Sequence, residues 1–166
     1  MKTWKNVEFN FVMGGRKKNR IIGLTFPPSN KNLGLEPSIL SVLPKGNNVE
    51  YSYENIDFND TDVQLYACSV YISGMDEFKE WADKHNKDKI VVGGYHPTMF
   101  PEDFINYANK IVVGCCDSGG FWETIHQTGK IVNGICKYDT IPRYDLYDMN
   151  FNQQVIPDKN TSDLCT

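Results

Sequence analysis

The chain has 166 residues, of which 40% are hydrophobic, 23% are charged and 13% are aromatic. This composition is typical of one globular domain and excludes disordered and fibrous classes. A formal net charge of -4 argues against a general nucleic-acid binder, and no apolar run approaches the roughly 20 residues of a membrane span. The first ten residues do not resemble a secretory signal. We therefore expect a cytoplasmic protein without nucleic-acid or membrane partners.

Five apolar segments alternate with helical patterns along the chain. A run that is apolar throughout predicts a strand buried on both faces of a parallel sheet, whereas an alternating run predicts an edge strand. The predicted strands are Ile21–Phe26, Val49–Tyr53, Gln64–Tyr71, Lys89–Gly94 and Ile111–Gly114. The predicted helices are Leu35–Leu43, Asp76–His85, Glu102–Tyr107 and Gly120–Gln127.

This alternation predicts an α/β fold with a flavodoxin-like, doubly wound, five-stranded parallel sheet in the order 2-1-3-4-5. We expect an N-terminal arm over residues 1–19, the domain over residues 20–128 and a C-terminal extension over residues 129–166. The extension is predicted to begin with a hairpin over Lys130–Tyr138 and to continue as an extended tail. In such a fold ligands bind beyond the carboxyl ends of the strands.

The cysteines favour free thiols. They form an odd set without a CxxC pair or the spacing of a zinc site. Adjacent cysteines rarely pair with each other, so the Cys115-Cys116 dipeptide is not predicted to be a redox or metal site. The five residues are Cys68, Cys115, Cys116, Cys136 and Cys165.

One strand-end loop carries the most specific motif. The stretch Val91–Phe104 reads VVGGYHPTMFPEDF, a strand that ends in two glycines and is followed by His-Pro-Thr and Pro-Glu. It resembles the cobalamin-binding domain at the N-terminus of many B12-dependent radical S-adenosylmethionine enzymes. Glycines at a strand end let a backbone approach a flat ligand closely, although taken alone they indicate no more than a tight turn.

The resemblance implies a set of cobalamin contacts at the strand ends. It covers roughly Ile21–Asp148 and would place the nucleotide tail of the cofactor beside Gly93 and Gly94. For Ser69, at the end of the predicted third strand, a structural hydrogen bond to the backbone is about as expected as a contact with the ligand. The contacts that it implies in the third and fourth loops are Ser69, Val70, Gly93, Gly94, His96 and Pro97.

Two loops depart from the family pattern. Where the family has Asp-x-His-x-x-Gly with its cobalt-binding histidine, this chain has Ser29-x-Lys31-x-x-Gly34. Where the family has Gly-Glu-Gly-Glu, the chain has Gly114-Cys115-Cys116-Asp117. Ser29, Gly34, Gly114 and Asp117 remain as expected ligand contacts, and no protein ligand to the metal is expected.

The segment Ile141–Asp148 resembles the linker that joins the family's cobalamin domain to a catalytic barrel. The barrel's CxxxCxxC motif is missing from the chain, so no iron–sulfur cluster and no radical chemistry are expected of it alone. The sequence contains no convincing catalytic set and leaves enzyme activity open. It predicts a cobalamin-binding module that works with a radical S-adenosylmethionine barrel or a partner protein; the alternative is an interaction or regulatory domain that has lost its cofactor.

Overall fold

A six-stranded, fully parallel sheet forms the centre of the protein in a computed structural model that describes residues 19–28, 38–52, 58–138 and 141–146. The strand order is 2-1-3-4-5-6. The predicted flavodoxin-like α/β class is confirmed, with one strand more than expected. The strands are β1 (Arg20–Phe26), β2 (Val49–Tyr51), β3 (Val63–Val70), β4 (Ile90–Gly93), β5 (Lys110–Val113) and β6 (Ile131–Asn133).

Helical elements cover both faces of the sheet. The described α-helices are α1 (Met75–Lys84), α2 (Tyr95–Met99) and α3 (Phe121–His126). One face is covered by α1, whose Phe78 and Trp81 join a cluster with Phe104 from a short 3-10 helix. The opposite face is covered by the 3-10 helix Ser38–Ser41 and by α3. No helix in the described ranges is long and apolar enough to cross a membrane.

The sixth strand corrects the predicted hairpin over Lys130–Tyr138. Ile131 pairs in parallel with Ile111, and Asn133 pairs with Val113, so the sheet extends beyond residue 128. Only Val132 of this strand is buried. The sequence pattern of a three-residue strand with one buried side chain is too short to distinguish a hairpin from an additional parallel strand at the edge of the sheet. The preceding helix α3 makes the parallel connection.

Two helical predictions also differ in detail. The loop predicted after β4 contains α2, and the helix predicted over Glu102–Tyr107 is the 3-10 helix Pro101–Phe104. Neither element is long enough to show a helical repeat in sequence. The predicted helix Leu35–Leu43 begins outside the described residues, and within them it is the 3-10 helix Ser38–Ser41.

The described end of the chain folds back on the domain. The backbone N–H of Arg143 donates to the carbonyl of Leu40 at 2.9 Å, and its guanidinium donates to the carbonyl of Pro44 at 2.6 Å. Leu146 lies partly buried against the cluster beneath the Ser38–Ser41 helix. Residues 141–146, predicted as part of an extended tail, thus support the element that covers one face of the sheet.

Gly74 sets how closely the start of α1 approaches the end of β1. A Cβ atom at this position would lie 2.0 Å from the carbonyl carbon of Phe26. We expect Gly74→Ala to lower the free energy of unfolding by about 1–3 kcal/mol, because backbone must move to admit the methyl group. Urea unfolding measures the change. The neighbouring exposed Ser73 gives the control Ser73→Ala, and equal stability of the two variants would contradict this explanation.

Candidate ligand pocket at the carboxyl ends of the strands

Side chains become smaller toward the carboxyl ends of the strands on the face covered by α3. Along β3 the inward residues run Leu65, Ala67 and Ser69, and in β4 Val91 is followed by Gly93. Ala67 pairs with Val91, and Ser69 pairs with Gly93, so the reductions in size lie side by side. The covering elements therefore meet large residues at the amino ends of these strands and a gap at the carboxyl ends.

This gap is a cavity of about 290 Å³. Its floor is apolar and is formed by Ala67, Val91 and Val112, and its outer wall comes from the Ser38–Ser41 helix and α3. The lining contains no charged side chain in the described part of the chain. The lining residues are Ser38, Ile39, Ser41, Val42, Ala67, Cys68, Ser69, Val91, Val92, Gly93, Gly94, Val112, Gly114, Cys115, Cys116, Phe121 and Ile125.

Hydroxyl groups lie at one side of the pocket. The Oγ atoms of Ser38 and Ser69 are 2.9 Å apart and share a hydrogen bond. The hydroxyl of Tyr71 donates to Ser38 Oγ at 3.3 Å. A ligand in the pocket would thus contact an apolar floor and a pair of hydroxyl groups. In small-molecule sites the apolar surface usually supplies affinity, and a few polar groups fix the orientation of the ligand.

Thr98 joins the loops that follow β4 and β5. Its hydroxyl donates to the carbonyl of Gly94 at 2.7 Å and accepts the backbone N–H of Gly114 at 3.0 Å. Gly94 has a φ of +100°, and a Cβ atom there would lie 2.9 Å from Ser69 Oγ. Only glycine fits this position without strain. One threonine of α2 therefore fixes two of the pocket's glycines relative to each other.

A disulfide closes the wall beyond β5. Cys115 is bonded to Cys136, with their Cα atoms 6.0 Å apart, which is within the ordinary range for disulfides. The prediction of free thiols is wrong for these two residues, because sequence spacing did not reveal that β6 returns beside β5. Cys68 and Cys116 are free, and burial raises the pKa of both thiols.

Asp117 holds this wall together from within the protein. Its carboxylate accepts the backbone N–H groups of Gly120 at 2.8 Å, Lys137 at 2.7 Å and Tyr138 at 2.6 Å. Burial by itself raises the pKa of Asp117, but these hydrogen bonds outweigh it and the pKa is lowered overall. Asp117 is buried and does not line the cavity, so its direct role is to position the loop.

The predicted ligand contacts separate into two groups. Ser69, Gly93, Gly94 and Gly114 line the pocket together, as expected when strand ends meet at one edge. The side chain of Val70 points into the cluster on the other face, and Pro97 is buried in α2. Two further predicted contacts, Ser29 and Gly34, lie outside the described residues.

His96 is also turned away from the pocket. It is 6% exposed and lies edge-on against the rings of Phe100 and Phe104. Its Nε2 atom is 2.9 Å from a carboxylate oxygen of Asp103, and its Nδ1 atom has no hydrogen-bond partner among the described residues. The structure therefore shows His96 supporting the α2 region, while Thr98 of the same His-Pro-Thr motif reaches the loops that line the pocket.

Sequence reasoning missed several residues of the pocket. Ser38 and Ser41 lie three positions apart in SILS, with Ile39 and Leu40 between them, and this small-polar pattern was the available signal. Thr98 stood inside the motif that was singled out. Its bonding to two glycines depends on contacts that a linear pattern does not contain.

No protein-family model matches this chain, and neither a curated protein nor a solved structure matches it. In the described part of the chain, no group of three or more His, Cys, Asp or Glu side chains is arranged to hold a metal ion. What the pocket offers is an uncharged, mainly apolar space with hydroxyl groups on one side.

Replacing the Asp117 carboxylate should reveal a pH-dependent contribution to stability. We expect Asp117→Asn to reduce the free energy of unfolding by about 2 kcal/mol near pH 7, because three backbone N–H groups lose a charged acceptor. A lowered folded-state pKa means that the contribution is present above the unfolded pKa of about 3.9 and is lost as pH falls through the folded pKa.

Urea unfolding of both proteins between pH 7 and pH 2 measures this effect. Subtracting the stability–pH curve of the variant from that of the wild type removes the contributions that the other carboxylates make to both. The difference should stay constant down to about pH 4, near the unfolded pKa, and then shrink. A difference that grows on acidification would show that Asp117 does not act as a bound carboxylate.

Proposed function

We propose that this chain is a cobalamin-binding module that takes the base of the cofactor's nucleotide tail into the pocket at the carboxyl ends of β3, β4 and β5. The observation that carries the proposal is the shrinking of inward side chains to Ser69, Gly93 and Gly114 around an apolar floor. The same positions are those that the resemblance to cobalamin-binding domains marks. The sequence motif and the packing both depend on these small residues, and together they support the proposal.

The size and polarity of the pocket suit this part of the ligand. A volume of about 290 Å³ is near the lower end of the range for small-molecule sites, so it suits a bicyclic aromatic base rather than a whole corrin. The uncharged lining avoids the cost of burying an unpaired charge beside such a base. The hydroxyls of Ser38 and Ser69 supply hydrogen-bonding groups for the polar atoms of the tail.

The rest of the ligand would have to remain outside the pocket. The loops after β3 and β4 expose apolar side chains at this edge, including Tyr71 at 42%, Tyr95 at 67% and Phe100 at 48%. Such side chains can cover the apolar parts of a bulky ligand. They also suit a protein partner, and this observation supports the alternative of an interaction domain that has lost its cofactor.

The chain's own residues would bind and orient the cofactor. Bound cobalamin supplies the chemistry of methyl transfer or radical rearrangement, which would need a radical S-adenosylmethionine barrel or a partner protein. None of the chain's histidines lines the pocket, so the described residues offer no imidazole to cobalt from this position. The module's contribution is shape, exclusion of water from the tail and a fixed orientation.

Substitutions at Gly93 test the pocket without straining the backbone. A Cβ atom there would lie 3.5 Å from Cβ of Val112, which is an ordinary contact. We expect Gly93→Leu to abolish retention of hydroxocobalamin, because the longer side chain occupies the space needed by the tail. Gly93→Ala is the matched control and should retain the ligand. Gly94 is less suitable, since any side chain there is strained by its positive φ.

Retention is measured by gel filtration after incubation with hydroxocobalamin, with the visible spectrum recorded across the protein peak. Circular dichroism and urea unfolding check that the variants are folded. A corrin spectrum on the wild type and on Gly93→Ala, with a colourless Gly93→Leu, supports the proposal. A colourless wild-type peak contradicts it and favours the interaction domain. Equal retention by all three proteins places the ligand elsewhere.

A further inference from the structure

The disulfide lies at the border between the pocket and solvent. Cys115 lines the pocket and is exposed, whereas Cys136 is half-buried in the segment that follows β6. The bond therefore joins the pocket wall to a different part of the chain. Its position is accessible to small thiols and disulfides, unlike that of a disulfide enclosed in a core.

Hydrogen bonds hold the two joined segments together independently of the disulfide. The N–H of Gly134 donates to the carbonyl of Val113 at 2.8 Å, and the N–H of Ile135 donates to Thr124 Oγ1 at 2.9 Å. Asp117 accepts two further N–H groups of the segment after β6. Opening the disulfide should consequently leave the fold intact and loosen the part of the wall around Cys115.

We propose that Cys115 and Cys136 form a reversible dithiol–disulfide couple that controls how firmly the pocket holds its ligand. This inference rests on the proposed function of the pocket. In the oxidised state the wall is fixed in the geometry described above, so less conformational freedom is lost on binding. In the reduced state the loop that begins at Gly114 loses its covalent link to the segment after β6 and is held there by hydrogen bonds alone, so the wall around Cys115 is less firmly fixed and the ligand binds more weakly.

The exchange balances with a small-molecule disulfide such as glutathione disulfide as the oxidant. The thiolate of Cys115 attacks one sulfur of the oxidant, forming a mixed disulfide and releasing one glutathione thiolate. The thiolate of Cys136 then attacks Cys115 Sγ and displaces the second glutathione. Two protein thiols lose two protons and two electrons, and one glutathione disulfide becomes two glutathione molecules. Reduction follows the same steps in reverse.

The other described thiols are poorly placed to compete in this exchange. The side chain of Cys68 is buried in the core cluster, and Cys116 Sγ donates a weak hydrogen bond to Thr124 Oγ1 at 3.5 Å. Burial raises the pKa of both groups, which lowers the fraction of reactive thiolate. The neighbouring Cys116 can therefore serve as the control position, since it lines the pocket but is not bonded to Cys136.

Cyanocobalamin is a suitable probe, and its dissociation constant is measured for oxidised protein and for protein reduced and then desalted. We expect binding to weaken about tenfold on reduction, a coupling of ordinary size. Cys136→Ser should bind like the reduced protein under both conditions, and Cys116→Ser should keep the redox response. Equilibration in glutathione buffers, followed by alkylation and peptide mapping, should show Cys115 and Cys136 changing state together.

Hydrogen exchange supplies a readout that needs no ligand. On reduction, exchange should become faster in residues 114–117, while the strands β1 and β3 stay protected. Equal affinity in both redox states, or alkylation of Cys115 and Cys136 in every buffer, overturns the inference and leaves the proposed function standing. Absence of cyanocobalamin binding in both redox states overturns the proposed function. The proposed redox control of ligand binding is then overturned as well.

Discussion

The site depends on how a parallel sheet buries two faces with side chains of different size. On the face covered by α1, large residues such as Phe26, Phe78 and Trp81 fill the space along the length of the strands. On the opposite face, the side chains shrink to serine and glycine toward the carboxyl ends. Close packing is the normal condition of a protein interior, and a gap in it removes favourable contacts. A ligand in this gap would restore those contacts, which is a physical reason for binding there.

The cavity stays open because hydrogen bonds fix the positions of the backbone segments around it. Thr98 fixes the loops after β4 and β5, and Asp117 fixes the loop after β5 to the segment after β6. On the outer side, Arg143 supports the Ser38–Ser41 helix through the carbonyls of Leu40 and Pro44. None of these residues contributes apolar volume to the cavity. They set the positions of backbone segments that would otherwise close over it.

Much of the fold could be predicted because its strands and α1 have strong local patterns. The apolar runs of β1 and β4 and the spacing of Phe78, Trp81 and Ala82 identified element type and order. The three-residue strand β6 and the five-residue helix α2 are too short for such patterns. For the site, Ser69, Gly93, Gly94 and Gly114 were predictable because strand ends share one edge. The Cys115–Cys136 bond was not, because the pairing depends on β6 lying beside β5.

The electrostatics of the pocket distinguish it from the usual nucleotide sites of doubly wound folds. In those sites a phosphate lies at the start of a long helix, where backbone N–H groups and the helix dipole favour negative charge. Here the helix after β4 has five residues, and the pocket opens between the sheet and its covering layer. Its lining has no charged side chain in the described residues. A ligand in this pocket would therefore be selected by shape and by a few hydroxyl groups, because an uncharged lining disfavours an unpaired anion.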